Sequence, residues 1–446
     1  MVSIEQLRSR VDAQFQHTVD ALASLVRIPS YVGASAPPGA LAKSADAVAA
    51  LLTGAGVADV RVVTAGGGPG VIGHIDVNPA ARTVLLYAHH DVQPVADDWS
   101  TDPFSPVVKD GRLYGRGSAD DGAGIAAHVA ALTALGRDLP VNVRIFIEGE
   151  EETGSPTFAK LLEENRAELA ADVAVVADSD NLSVDTPSLT TSLRGITSVI
   201  ATVRVADRAV HSGMWGGVYL DAPTCLARLI ATLHDADGAV AVAGLAPTGH
   251  SPDLLTEAEA RQTAGLVPSL KLAGRGSVTD RVWWGPAISV IGFDSTSVAM
   301  ASNTLQPVAR AEISLRVPPG LDPAKAQAAL AAHLKAHAPF GAEVQIQDGP
   351  VGQGFKADTT GPAYAAAARA LTDGFGRPMV PIGQGGSIPL AAELKAVFPN
   401  IEVLLTGVED PDSRAHAGNE SESLDVLRHA ALAEALLLTY LGPKKP

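Results

Sequence analysis

Cysteine is almost absent: Cys225 is the single one in 446 residues. That excludes an internal disulfide and any metal site built from thiolates alone. Aromatic residues are scarce too, at 4%, although 46% of the chain is hydrophobic, so the core must be built mainly from Ala, Val and Leu. No uninterrupted apolar run is long enough to cross a bilayer. The opening Met-Val-Ser-Ile-Glu-Gln-Leu-Arg lacks the basic-then-apolar layout of a secretory leader. Basic residues are outnumbered 33 to 49, and the net charge of −16 argues against a nucleic-acid or anionic-membrane partner. A cytoplasmic protein of two or three domains with a large core is expected.

What is present is ordered. Apolar residues recur with helical spacing over 3–27 (Leu7, Val11, Phe15, Leu22), and Pro29 ends that pattern. A second helix is expected over 43–53 and a short hairpin over 60–73. Continuous apolar runs at 83–88, 141–147 and 173–177 read as strands covered on both faces, with helices over 123–135 and 157–169 between them. This β-α-β-α-β order predicts an α/β fold, a mostly parallel sheet with helices on both faces. The pattern then changes. Residues 197–205 and 309–317 alternate strictly, as in Ala311, Ile313 and Leu315 against Glu312, Ser314 and Arg316. With helices expected over 222–234 and 323–337, residues 195–350 read as an inserted α+β domain with an antiparallel sheet. Parallel-type texture returns with a helix over 361–375, a strand over 401–406 and a helix over 421–440. The first domain is therefore discontinuous, 1–194 and 351–446.

Acid and imidazole groups gather at the predicted strand ends, where sites form in parallel sheets. Asp120 and Asp121 sit at a loop-to-helix junction, a position at which an isolated Asp pair is most often an N-cap. Their neighbours argue for more: His89-His90-Asp91 ends one strand and Glu150-Glu151-Glu152 follows another. Residues i and i+2 of a strand share a face, so Asp91 can accept from the far nitrogen of His89 and fix its tautomer for a metal ligand. Asp178 ends the third strand, with Asp180 as a competitor, and His416 lies in a late loop. Crowded carboxylates need a cation, or some must stay protonated. Nitrogen and oxygen donors without thiolate suit a zinc-like ion.

Together the segments Tyr87-Ala-His-His-Asp-Val-Gln-Pro94, Tyr114-Gly-Arg-Gly-Ser-Ala-Asp-Asp121, Glu148-Gly-Glu-Glu-Glu-Thr-Gly-Ser155 and the late His416 resemble one family. It is the di-zinc metallopeptidase family of aminoacylase, glutamate carboxypeptidase and carnosinase. Leu193-Arg-Gly195, Val210-His-Ser-Gly-Met-Trp-Gly-Gly217, Leu315-Arg-Val-Pro318 and Gly385-Gly-Ser-Ile-Pro389 resemble its carnosinase-like dipeptidase branch. The resemblance implies two Zn2+ ions (Mn2+ or Co2+ being alternatives), one on His89 and Asp178, the other on Glu152 and His416, with Asp120 bridging. Two such ions, ~3.5–4 Å apart, activate a water and polarise the scissile carbonyl. Glu151 is implied as the general base, with Asp91 behind His89. His211 is implied to stabilise the oxyanion, from the partner of a homodimer formed through the inserted lid domain. Arg316, Gly386 and Ser387 are implied to bind the substrate.

Two departures and one choice stand out. Many relatives carry Lys where this chain has Gly122, which removes no ligand. Asp178 is preferred to Asp180 because it directly ends the apolar strand and its distance to Leu193-Arg-Gly195 suits the family. Within the family, Asp at this position goes with peptidases acting on free amino ends and Glu with deacylases. The expected substrate is therefore a dipeptide or other small amide. An N-acyl- or N-carbamoyl-amino-acid amidohydrolase is the runner-up, and a non-catalytic metal-binding protein would require a missing ligand or base. His90 could replace His89 only if the strand register slipped. The plain alternatives are that His211 caps a turn and that Arg316 is a solvated surface charge.

Overall fold

The computed structural model describes residues 2–33, 35–95, 98–386 and 389–443. They fall into two units. The first joins Met1–Thr191, Ala357–Ile382 and Leu390–Pro446; the second joins Ser192–Lys356 and Gly383–Pro389. The sequence limits of 194/195 and 350/351 differ from these by a few residues, and the sequence pattern does not reveal that 383–389 returns to the second unit.

The first unit opens with α1 (Ile4–Val26), whose N-terminus is a capping box between Ser3 and Gln6. It continues through α2 (Ala40–Gly54), β1 (Ala58–Val63), β2 (Gly70–Ile75), β3 (Thr83–His89), α3 (Gly122–Leu135), β4 (Asn142–Glu148) and β5 (Val173–Val176) to β6 (Ser188–Leu193), which runs across the boundary. The second unit contributes β7 (Gly195–Arg204), α4 (Ala222–Ala231), β8 (Ala287–Asp294), β9 (Val308–Val317), α5 (Pro323–Ala336) and β10 (Glu343–Gly352). The chain then returns with α6 (Pro362–Phe375), β11 (Glu402–Thr406) and α7 (Leu424–Leu441). No helix among the described residues is long and apolar enough to cross a membrane.

In the first unit the strand order is β1-β2-β4-β3-β5-β11-β6. The central strands β4, β3, β5 and β11 are parallel, and β1, β2 and β6 add on antiparallel. Side-chain alternation covers both faces. Val84, Leu86 and Ala88 of β3, with Val143 and Ile145 of β4, join Leu7 of α1, Val129 of α3, Ala367 of α6 and Leu436 of α7 in one core. Tyr87 and Phe146 point the other way, against Phe158 of the helix Phe158–Glu164. Burial on both faces is why these strands read as unbroken apolar runs. The parallel register sets His89 opposite Glu148, so the carboxyl ends of the central strands carry the polar residues.

The second unit holds the antiparallel sheet β8-β9-β7-β10. Val199, Ala201 and Val203 of β7 and Ala311, Ile313 and Leu315 of β9 pack on Leu226 and Leu229 of α4 and Leu330 and Leu334 of α5. One face is therefore covered by helices, as the alternation predicts. Two sequence expectations shift. The helix expected over 421–440 starts at Leu424, because Ser421–Ser423 pairs as a strand with 112–114. The helix expected over 157–169 breaks at Asn165.

One buried pair ties α3 to α7 in the first unit. His128 Nδ1 faces Glu434 Oε2 at 2.8 Å and its Nε2 faces the Tyr87 carbonyl at 3.0 Å, so both ring nitrogens meet acceptors. Burial works to lower the pKa of His128, but the Glu434 charge and hydrogen bond and the Tyr87 carbonyl outweigh it, and the net direction is up. The resulting stabilisation is fully present below the unfolded value of about 6.5 and is lost as pH rises through the higher folded value. In melting experiments, the advantage of the wild type over Glu434→Gln is expected to be largest near pH 6 and to shrink towards pH 9. An advantage that grew with pH would contradict a charged His128.

Candidate functional site

The site of the first unit forms where β3, the α3 junction, the β4 loop, β5 and the 410–420 loop meet. His89 ends β3 fully buried, and its Nε2 lies 3.0 Å from Asp120 Oδ1. Asp120 Oδ2 lies 2.9 Å from His416 Nε2, which is 3.2 Å from Glu152 Oε2. Ligand atoms of His89, Asp120 and Asp178 converge within 4.8 Å of one another, and so do those of Asp120, Glu152 and His416. Two triads thus share Asp120. Each imidazole presents Nε2 to a different oxygen of that carboxylate, an arrangement in which a cation can take the place of a proton.

The electrostatics describe a site built for positive charge. Burial, with the charges of Asp120, Glu152 and Asp180, outweighs the attraction of His89 and pushes Asp178 up to about 7. Burial, opposed by His89 but reinforced by Asp178, Glu152 and Asp120, pushes Glu151 up to about 8. Hydrogen bonds to Asp120 and Glu152 likewise raise His416, to about 10. These groups hold protons tightly because several carboxylates share little solvent, and a divalent ion would satisfy the same demand. The donor set is nitrogen and carboxylate oxygen only, which fits zinc or a similar ion.

Adjacent residues divide the work. Asp121 acts as the cap: its Oδ1 accepts the Gly124 N–H that opens α3, and its Oδ2 accepts the His89 N–H. Glu150 is structural, its carboxylate accepting from Gly68 N at 2.7 Å and Thr157 N at 2.6 Å. His90 points away, with Nε2 donating to the Pro69 carbonyl at 2.7 Å, so the strand register leaves His89 in the cluster.

Asp91 faces His89 and has other partners as well. Its carboxylate is not the nearest partner of His89: Nδ1 lies 3.0 Å from the Asp91 backbone oxygen and 3.5 Å from Oδ1. The carboxylate also accepts the N–H groups of Glu151 at 3.1 Å and Glu152 at 3.0 Å. The chain leaves β3 at His89, so both the carbonyl and the carboxylate of Asp91 come near Nδ1 while the carboxylate also reaches the neighbouring loop. The His89 tautomer is fixed either way, and Asp91 also aims the Glu151–Glu152 pair.

Three supporting residues escaped the sequence reading. Gln93 donates to Glu152 Oε2 at 2.7 Å. Glu420 accepts from Gly117, Ala119 and Asp120 N–H at 3.1, 3.0 and 3.2 Å. Arg116 pairs with Glu420 at 2.5 Å and donates to the His416 carbonyl at 3.1 Å. Arg116 stands inside the Tyr114–Asp121 segment and Gln93 four residues after His89, so position was a signal; nothing in the sequence marked Glu420 as their partner.

In the second unit, His211 is exposed and its Nδ1 accepts the Gly213 N–H at 3.0 Å. It does cap a turn, and that bond leaves the ring proton on Nε2 in the neutral form. Arg316 is half-buried on β9, opposite Ala287 of β8 and Ile196 of β7. Gly386 is exposed; Ser387 lies outside the described residues.

Comparison with known proteins identifies the family. The model of "Peptidase family M20/M25/M40" matches residues 85–439. A cysteinylglycine-S-conjugate dipeptidase of Corynebacterium striatum is 36% identical over 372 residues, covering 81% of each chain. A Beta-Ala-His dipeptidase of Rattus norvegicus is 28% identical, covering 79% of this chain and 75% of the relative. The crystal structure of human carnosine dipeptidase 1 has the same fold, with a TM-score of 0.77 at 23% identity over 98% of both chains. With the family match spanning most of the chain and the polar cluster inside it, the protein is a metallopeptidase and belongs to Peptidase family M20/M25/M40.

Proposed function

We propose that this protein is a di-zinc dipeptidase that hydrolyses the peptide bond of dipeptides or short peptides. The observation that carries the reading is the pair of ligand triads sharing Asp120, with Glu151 adjacent to Glu152. The dipeptidase names of the similar Corynebacterium and rat proteins support the substrate class. His89 and Asp178 would hold one zinc ion, Glu152 and His416 the other, and Asp120 both. When bound, the two ions supply Lewis acidity and lower the pKa of a water.

Everything else is work for side chains. The Glu151 carboxylate takes the proton of the attacking water and returns it to the leaving amine nitrogen. His211 donates from Nε2–H to the developing oxyanion, and Arg316 binds the terminal carboxylate, aided by Gly386 and Ser387. We place His211's contribution in trans, from a homodimer formed through the second unit. Exposed apolar side chains support such an interface: Val290, Ile291 and Phe293 on edge strand β8, and Met214, Trp215, Val298 and Met300 in segments on either side of the His211–Thr304 pairing. A cytoplasmic location completes the reading.

The test combines metal analysis with a dipeptide panel before and after chelation. About two metal ions per chain are expected, with turnover lost on chelation and restored by zinc, manganese or cobalt. Metal bound without dipeptide cleavage, but with turnover of N-acetylated amino acids, would replace the dipeptidase reading by the amidohydrolase one. Protein purified without chelator and free of metal would overturn both.

A further inference from the structure

Within the second unit, two guanidinium groups lie together without an anion. Arg316 stands opposite Ile196 and Ala287 in the sheet. Arg194 precedes Ile196 by two residues, and its Nη1 donates at 3.4 Å to the carbonyl of Gly285, two residues before Ala287. Arg194 stands just before β7 and Arg316 pairs with Ile196 at the start of β7, so the two are near neighbours, close enough for the Arg316 charge to act on Arg194. Arg194 is only 9% exposed. Among the described residues, neither arginine forms an ion pair. Carbonyl oxygens give Arg194 hydrogen bonds but no countercharge, and burying a guanidinium beside a like charge is costly until an anion arrives. Burial and the Arg316 charge pull Arg194 down to about 10.

Arg194 also holds the backbone of the segment that returns to this unit. Its Nε donates to the Gly385 carbonyl at 3.2 Å, and its own N–H donates to the Gln384 carbonyl at 3.4 Å. A Cβ on Gly385 would sit 2.7 Å from Arg194 Nη2, so a larger residue there would make the guanidinium shift.

We propose that Arg194 is a second carboxylate-binding guanidinium beside Arg316, and that it fixes the Gly385–Gly386 backbone that lines the same pocket. The proposal rests on the dipeptidase reading and narrows it: selectivity for a free carboxyl end comes from two arginines, one of them buried and rigidly held. Planar, permanently charged donors suit that task better than a single mobile cation.

The test uses zinc-loaded full-length protein in a Glu151→Gln background, where binding is read without turnover. Calorimetry compares leucylglycine with leucylglycinamide. Arg194→Gln is expected to weaken leucylglycine binding by about 10- to 100-fold and to leave leucylglycinamide binding nearly unchanged; Arg194→Lys should recover part of the loss. Equal weakening of both ligands would mean that Arg194 only maintains the fold, and no weakening would mean that it does not face the ligand. Either result overturns the proposal. So would parent protein that binds neither leucylglycine nor N-acetylglycine. If the parent discriminates carboxylate from amide, with Arg194 required, but the Glu151 enzyme leaves dipeptides intact, the dipeptidase reading falls and the carboxylate site stands.

Discussion

Glu151→Gln is expected to lower kcat for dipeptide hydrolysis by about 10²- to 10⁴-fold, the usual worth of a positioned general base. Metal content, KM and melting temperature should stay close to those of the wild type. The substitution is nearly isosteric, so packing is kept, but an amide oxygen cannot take up the water proton. Asp91 aims the residue through its backbone, accepting the N–H of Glu151 and of Glu152, and that bond survives the change. Glu150 is the internal control. Its carboxylate serves Gly68 and Thr157, so Glu150→Gln should lower stability more than rate. Full activity in a metal-replete Glu151→Gln enzyme would remove Glu151 from the mechanism; loss of metal would turn it into a ligand.

The division of labour along Glu150-Glu151-Glu152 shows where sequence reasoning ends. Periodicity made the fold legible: both-face burial wrote β3, β4 and β5 as unbroken apolar runs, and one-face burial wrote β7 and β9 as strict alternation. The same logic placed His89, Glu148 and Asp178 at strand ends. It could not assign tasks within a loop, because there the backbone decides which way each side chain turns. Asp121 as cap and Asp120 as hub, or His90 against Pro69, are differences of a single residue. Nor could it see Glu420. A buried acid in a loop looks like any surface acid until the chain that covers it, here Gly117 to Asp120, is brought over it. The short strand Ser421–Ser423 was missed for a similar reason: three residues are too few to carry a period.

Glu420→Leu is expected to cost about 3–5 kcal/mol of stability, the penalty for stripping one partner from a buried ion pair. Arg116 and Glu420 are 1% and 0% exposed at their side chains and 2.5 Å apart. Without Glu420, Arg116 keeps a buried charge facing the carbonyls of His416 and Ala417 and the ring of Trp99, none of which carries a countercharge, and the N–H groups of Gly117, Ala119 and Asp120 lose their acceptor. Burial and the Asp120 charge push Glu420 up to about 7, against the pull of Arg116 and the N–H groups, so the experiment belongs at pH 8, where the pair is charged. A fall in melting temperature of about 5 °C is expected. Metal affinity should drop as well, by about 10- to 100-fold, because the acid fixes the backbone of Asp120 and its partner steadies the His416 loop. Adding Arg116→Met should then return part of the lost stability, since removing both charges is gentler than removing one. It should not return the metal affinity, because the N–H groups beside Asp120 remain without their acceptor. A double variant no more stable than Glu420→Leu would show that the hydrogen bonds, not the stranded charge, hold this corner of the site together.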